Sequence, residues 1–202
     1  MSNSSKLLEK AIEQFASLPG IGRRTALKFV LHLLKKNADE VTAFAKSITD
    51  LKENIKECAV CHNIADGEIC EICADKRRDA DIICVVENIR DIMSIEATAQ
   101  FKGLYHVLGG IISPMDGIGP ADLNINTLID RIMSTDVKEV IFALSATIEG
   151  DTTAYYIYKK IKDKENITVS TIAKGISIGN DLEFTDELTL GRSIVNRISF
   201  SG

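Results

Sequence analysis

Apolar residues recur at helical spacing through the first quarter of the chain. Leu8, Ile12 and Phe15 are separated by Lys10, Glu13 and Gln14, which predicts a helix over 6–18. Pro19 ends it, and Gly20 and Gly22 permit a tight reversal. A second helix follows with Ala26, Phe29, Val30, Leu33 and Leu34 on one face, and a third from Ala38 to Lys56 with Val41, Phe44, Ala45, Ile48, Leu51 and Ile55 on its apolar side. Beyond residue 80 the pattern changes. Ile82 to Val86 is an unbroken, largely β-branched run, as in a strand buried on both faces. Helices are predicted at 89–100, 125–134, 152–162 and 188–198, and strands at 104–108, 139–144 and 167–172. This alternation predicts an α/β fold with a mostly parallel sheet covered on both faces, preceded by a helical region. No internal repeat or low-complexity stretch interrupts it.

Charge sharpens the division. Residues 1–57 carry 10 Lys+Arg against 7 Asp+Glu, residues 58–202 carry 14 against 22, and residues 1–36 alone hold 7 basic and 2 acidic side chains. A basic end on an acidic body suggests a polyanion-binding end, although on charge alone a solvated helix surface is the simpler reading. The reversal Leu18-Pro19-Gly20-Ile21-Gly22-Arg23-Arg24 adds chemistry to charge. Glycines let a backbone approach another molecule closely, and the free N–H groups opening the second helix favour an anion. Arg23, Arg24 and Lys28 lie at that end, while Ile21 is expected to point inward and lock the helices. The result is a phosphate site that reads no base. It resembles the helix-hairpin-helix motif of DNA repair and recombination proteins; the plain alternative is an ordinary corner between two helices.

Four of the five cysteines form two C-x-x-C pairs, Cys58/Cys61 and Cys70/Cys73. Two such turns facing each other enclose a tetrahedral ion, and four thiolates with no open position point to structural zinc rather than a catalytic metal; the plain alternative is a pair of disulfides or four unrelated thiols. His62 is placed on the rim. Cys84, inside an apolar run, is read as a buried core thiol. No charged-then-apolar leader is present and the apolar runs are too short to span a bilayer, so a reducing, cytoplasmic setting is expected. Lys76-Arg77-Arg78, just past Cys73, suits either nucleic acid or a solvated loop.

Function in parallel sheets gathers at the carboxyl ends of the strands. Glu87 follows the first strand, and Glu149 and Asp151 follow the third after a short link. Carboxylates from neighbouring strands can hold Mg²⁺. The arrangement resembles the Toprim domain, which pairs such a Glu with Asp-x-Asp; here Glu149 stands in place of the first Asp. Tyr155, Tyr156 and Tyr158 are read as packing residues. Between strands runs Tyr105-His-Val-Leu-Gly-Gly110, then Ser113-Pro114 and Asp116-Gly-Ile-Gly-Pro120, a rigid turn-rich loop whose Asp-Gly-Ile-Gly mimics a second hairpin without basic flanks.

The order of hairpin, four-cysteine site, Toprim-like region and this loop, with Lys174 to Gly179 and Leu182 to Glu187 beyond it, is similar to the RecR family of bacterial recombination mediators. The resemblance implies four parts: a helix-hairpin-helix region at 1–56, a four-cysteine zinc finger at 57–77, a Toprim domain at 78–175 and a C-terminal segment with an oligomerisation helix at 176–202. It implies a non-enzymatic, nucleoid-associated protein of the bacterial cytoplasm. Such a protein binds single-stranded, gapped or double-stranded DNA as a dimer or tetrameric ring. It acts with RecO, and in some species with RecF, to promote RecA loading at gaps. Carried over, Gly20, Gly22, Arg23, Arg24 and Lys28 contact DNA; Cys58, Cys61, Cys70 and Cys73 hold zinc; and Glu87, Glu149 and Asp151 face the partner or bind Mg²⁺ weakly. The competing expectation is a Mg²⁺-dependent Toprim nuclease or primase.

Overall fold

A computed structural model describes residues 5–176, 179, 181–197 and 199. The chain divides into two compact units, Met1–Ile55 and Lys56–Gly202.

The first unit holds three helices: α1 (Lys6–Ala16), α2 (Arg23–Leu33) and α3 (Ala38–Asn54). Ile12 of α1 and Ala26 and Val30 of α2 form its small core, with Leu8, Phe15, Ile21 and Leu27 packed around them. Ile21 therefore turns inward, as its place between two glycines suggests. Ser5 caps α1 by accepting the Leu8 N–H, and Asn37 and Glu40 form a reciprocal capping box on α3. The first helix stops at Ala16, two residues short of the expectation. The third stops at Asn54, because Ile55 turns extended. No residue of α3 is buried among the described residues, so its apolar face is present but open there.

The second unit opens with a short antiparallel pair, β1 (Lys56–Glu57) and β2 (Ile64–Ala65), and one helical turn, α4 (Glu71–Ala74). The sheet that follows contains β3 (Asp79–Val86), β4 (Gly103–Val107), β5 (Glu139–Ala143) and β6 (Thr168–Thr171) in the order β4-β3-β5-β6, all parallel. Strand β3 begins three residues earlier than the apolar run, because Asp79 already pairs with Gly103. Alternate residues divide between two cores. Ile83, Val85, Val140 and Phe142 pack against α6 (Ile125–Ser134) and α7 (Ile148–Ile161), whereas Cys84, Val86, Tyr105 and Val107 pack against α5 (Ile89–Ala97). Cys84 is the buried thiol expected, and burial pushes its pKa up to about 12.

Helix α7 starts at Ile148, four residues before the expected Thr152. Thr147 caps it by accepting the Gly150 N–H at 3.1 Å, and Gly150 lies so close to the preceding turn that a Cβ would sit 2.2 Å from the Ser145 carbonyl oxygen. The link after β5 is therefore shorter than the sequence suggests. The Asp116-Gly-Ile-Gly stretch is no second helical hairpin: two 3₁₀ turns, Pro114–Asp116 and Pro120–Asp122, flank an antiparallel bridge between Ser113 and Ile118. The last described helix, α8, spans Glu187–Val195; the expected end, Ile198, lies outside the described residues. No described helix is long and apolar enough to cross a membrane.

Candidate nucleic-acid interface and metal centre

The hairpin end is built by Gly20 and Gly22. Gly20 has φ +77°, in the left-handed region that favours glycine. Gly22 differs: with φ −78° and ψ 159° it is the N-cap of α2, and a Cβ there would meet nothing within 4 Å. Its value is that it brings no side chain to the first turn. No side chain caps α2, which leaves its opening N–H groups for an outside acceptor. Arg23 is ion-paired to Glu9 of α1, while Arg24 and Lys28 are exposed and make no ion pair among the described residues. The five sequence-derived positions thus lie together, with Arg23 partly spent on tying α1 to α2.

In the second unit the four cysteines converge. Their sulfurs all lie within 4.8 Å of one another, and those of Cys61 and Cys70 are 3.5 Å apart. A tetrahedral zinc with bonds of about 2.3 Å requires sulfurs about 3.8 Å apart, so the donor set fits the ion. Backbone N–H groups of Cys70 and Cys73 point at the Cys58 and Cys70 sulfurs, as they do around thiolates. Burial opposes ionising Cys58, but N–H groups from Cys70, Val60 and Cys61 outweigh it and bring the thiol down to about 6. Cys61 is held up by the Cys73 thiol and by burial, and Cys70 chiefly by burial, so a cation is what stabilises four charges there.

This metal centre is docked on the sheet. Val107 of β4, the edge strand, donates its N–H to the Cys61 carbonyl at 2.8 Å. Arg131 of α6 donates to the Tyr105 carbonyl at 2.8 Å and reaches the Val60 carbonyl at 3.5 Å. His62, at φ +61°, lies between Glu57 and Thr127, with its ring 5.0 Å from that of His106. His106 is fully buried and donates from Nε2 to the Asn124 carbonyl, leaving Nδ1 without a partner among the described residues; burial lowers its pKa to about 3.

The three acids do not gather as expected. Among the described residues, the cysteines form the only group of three or more side chains placed to share a metal. Glu87 accepts the Ser145 N–H and so ties the ends of β3 and β5. Glu149 and Asp151 lie in the first turn of α7, not in a loop. Asp151 is paired with Lys174 and, at 4.0 Å, with Arg192 of α8; Glu149 makes no ion pair among the described residues. The sequence pattern does not single out Lys174, Arg192 or Gly150 for these roles. A glycine between two acids just before a helical stretch is the available signal for the last.

Two further readings change. Arg78 does not serve as a solvated or DNA-facing cation. Its guanidinium is half-buried between Glu96 and the Gly103 carbonyl, and Glu96 also accepts the Tyr105 hydroxyl at 2.6 Å. Arg77 folds back onto Asp75. Of the three tyrosines, only Tyr156 packs on the core; Tyr155 and Tyr158 are exposed.

Family comparisons follow the same division of the chain. A model described as "RecR, helix-hairpin-helix" matches residues 8–52, the RecR four-cysteine zinc finger domain matches 55–75, "Toprim domain" 81–173 and "RecR, C-terminal" 175–198. The proteins named "Recombination protein RecR" in Bacteroides fragilis and Bacteroides thetaiotaomicron are each 59% identical over 198 residues, covering 98% of this chain and 96% of the relative. The one in Flavobacterium psychrophilum is 58% identical over 200 residues, covering 99% and 97%. With matches at this level along nearly its whole length, the chain belongs to the RecR family of recombination proteins.

Proposed function

We propose that this chain is a DNA-binding mediator of recombinational repair. It grips phosphates through Gly20, Gly22, Arg23, Arg24 and Lys28, and acts with a RecO-type partner, joined in some species by RecF, to load RecA at single-stranded gaps. The observation that carries the reading is the uncapped start of α2 beside Arg24 and Lys28, which make no ion pair among the described residues. Helix N–H groups and exposed cations suit phosphate oxygens and offer nothing that distinguishes one base from another. The four parts, at 1–56, 57–77, 78–175 and 176–202, are read as DNA-binding, structural-zinc, partner-facing and assembly segments of a protein working at the nucleoid.

Support for self-assembly comes from the first unit. Phe44, Ile48 and Leu51 of α3 are 45%, 55% and 60% exposed, and Phe15, Phe29, Leu33 and Phe44 line an apolar groove of about 630 Å³. A second copy covering this face is the first step towards the ring. Glu149, without an ion pair among the described residues, and Glu87 are read as contacts for a basic partner surface, where they set orientation and association rate. The relatives' name, recombination protein, supports mediation over phosphoryl transfer.

Fluorescence anisotropy on DNA of unrelated sequences tests the hairpin. Arg24→Ala with Lys28→Ala should weaken binding alike on every sequence and flatten its salt dependence by roughly 0.7–0.9 log–log units per lost phosphate contact. Unchanged affinity and slope in a folded double variant would remove the hairpin from the DNA surface.

A further inference from the structure

The second unit is acidic, yet its outermost helical face is not. Residues 155–164 carry four lysines and a single acid. Helix α7 turns Thr153, Ile157 and Ile161 into the core. On the opposite side Tyr155, Tyr158, Lys159 and Lys162 follow one another at the spacing i, i+3, i+4, i+7, so they form one stripe, and all four are exposed.

Aromatic rings in solvent need a reason that lysines at a helix carboxyl end do not. Tyr155 and Tyr158 are 59% and 41% exposed, with ring centroids 6.5 Å apart and planes inclined by 34°. The Lys159 ammonium lies 5.2 Å from the centre of the Tyr155 ring. Among the described residues, Lys162 has only its neighbour Asp163 at 3.8 Å as an ion partner, whereas Lys164 is committed to the carbonyls that end α6. The stripe therefore presents two half-open rings, with Lys159 over one face of Tyr155 and Lys162 one turn further on.

These two groups meet the two recognisable features of an unpaired strand, its base faces and its phosphates. A duplex satisfies only the cations, because its base faces are already stacked. From Tyr155 to Lys162 the helix advances about 10 Å, the length of roughly three stacked nucleotides. We propose that the outer stripe of α7 is a second DNA contact, selective for single-stranded DNA and separate from the hairpin end. The tyrosines stack on bases and Lys159 and Lys162 hold phosphates. An acidic protein partner could use the lysines alone, but it would leave the paired tyrosines without a function.

The full chain is tested with a labelled oligothymidine and a mixed-sequence duplex. Tyr155→Ala with Tyr158→Ala should weaken oligothymidine binding about tenfold and duplex binding by less than about twofold. The double Phe variant should bind like wild type, since it keeps the rings. Lys159→Gln with Lys162→Gln should lower the single-strand salt slope by roughly 0.7 per contact. A 5-iododeoxyuridine oligonucleotide should crosslink to Tyr155 or Tyr158. All four side chains are exposed, so circular dichroism should show a folded protein in every case. The proposal is overturned by unchanged oligothymidine binding in the Ala variant, by equal loss on both DNAs, or by crosslinks confined to residues 20–28. Arg24→Ala with Lys28→Ala separates the two sites. If that variant keeps both its duplex binding and the single-strand binding that the α7 variants weaken, the hairpin reading fails and the stripe stands.

Discussion

Gly20, Gly22 and Gly150 are indistinguishable as letters but differ in what they do. Gly20 holds a left-handed backbone, Gly22 only keeps a helix start bare, and Gly150 makes room for the Ser145 carbonyl. Denaturant titration of the three Ala variants should rank them accordingly. Gly22→Ala should cost about 0.5 kcal/mol, Gly20→Ala about 1–2 kcal/mol and Gly150→Ala about 2 kcal/mol or more, because α7 must shift to admit the Cβ. His106 makes a second residue-scale case. Its Nε2 donates to a carbonyl and its folded pKa of about 3 lies below the ordinary 6.5, so imidazole NMR at pH 5 should show a neutral ring with the proton on Nε2. The unfolded chain then binds the extra proton. Stability is full above about pH 6.5 and falls on acidification towards pH 3, by at most about 1.4 kcal/mol per pH unit from this group. Burial, then the nearby Arg131 and His62, causes the shift, so a ring that titrates near 6.5 would contradict the buried position. Neither role is visible in the letters, since both depend on which backbone happens to lie opposite.

Among the elements, the four strands of the parallel sheet were legible, whereas the short pair β1 and β2, the turn α4 and the start of α7 were not. A β-branched run such as 82–86 can satisfy itself only inside a sheet, and the hydrophobic period located α1, α2, α5 and α6 well. The start of α7 was hidden because Thr147 and Gly150 read as turn residues, and their capping and packing roles emerge only against Ser145. Arg78 reads as surface charge until Glu96 and Tyr105 arrive from elsewhere in the chain. The cysteine spacing was fully legible as a metal site, but its docking on β4 was not, because that rests on main-chain groups of Cys61 and Val107. Removing zinc with a strong chelator should therefore loosen more than residues 58–73. Hydrogen exchange at the Val107 amide should speed up along with that of the cysteine turns, while the amides of β5 keep their protection. Exchange at Val107 that is indifferent to metal would show that the docking survives without it.

For the whole molecule, the clearest unmet requirement is the apolar side of α3. Periodicity identifies a face that must be buried but cannot name what buries it, so the stripe is legible in the sequence and its exposure is not. Replacing Ile48 and Leu51 by Glu should shift light-scattering mass towards the single chain, leaving helicity and zinc content intact. It should also remove the concentration dependence of thermal unfolding that association imposes. An unchanged mass would place the contact between copies on another surface.

The hydrogen bond from Val107 to Cys61 has a consequence for the order of events during synthesis. The cysteine turns precede the edge strand, with Cys73 thirty residues ahead of Gly103. At ribosomal speeds of about 5–20 residues per second, that is a head start of about 1.5–6 seconds. A metal-loaded turn is then already in place when β4 emerges, and it occupies a main-chain edge that would otherwise be free to pair with a neighbouring nascent chain. Zinc withheld during translation and restored afterwards should then give a lower yield of native protein than zinc present throughout; equal yields would show that the order of events does not matter.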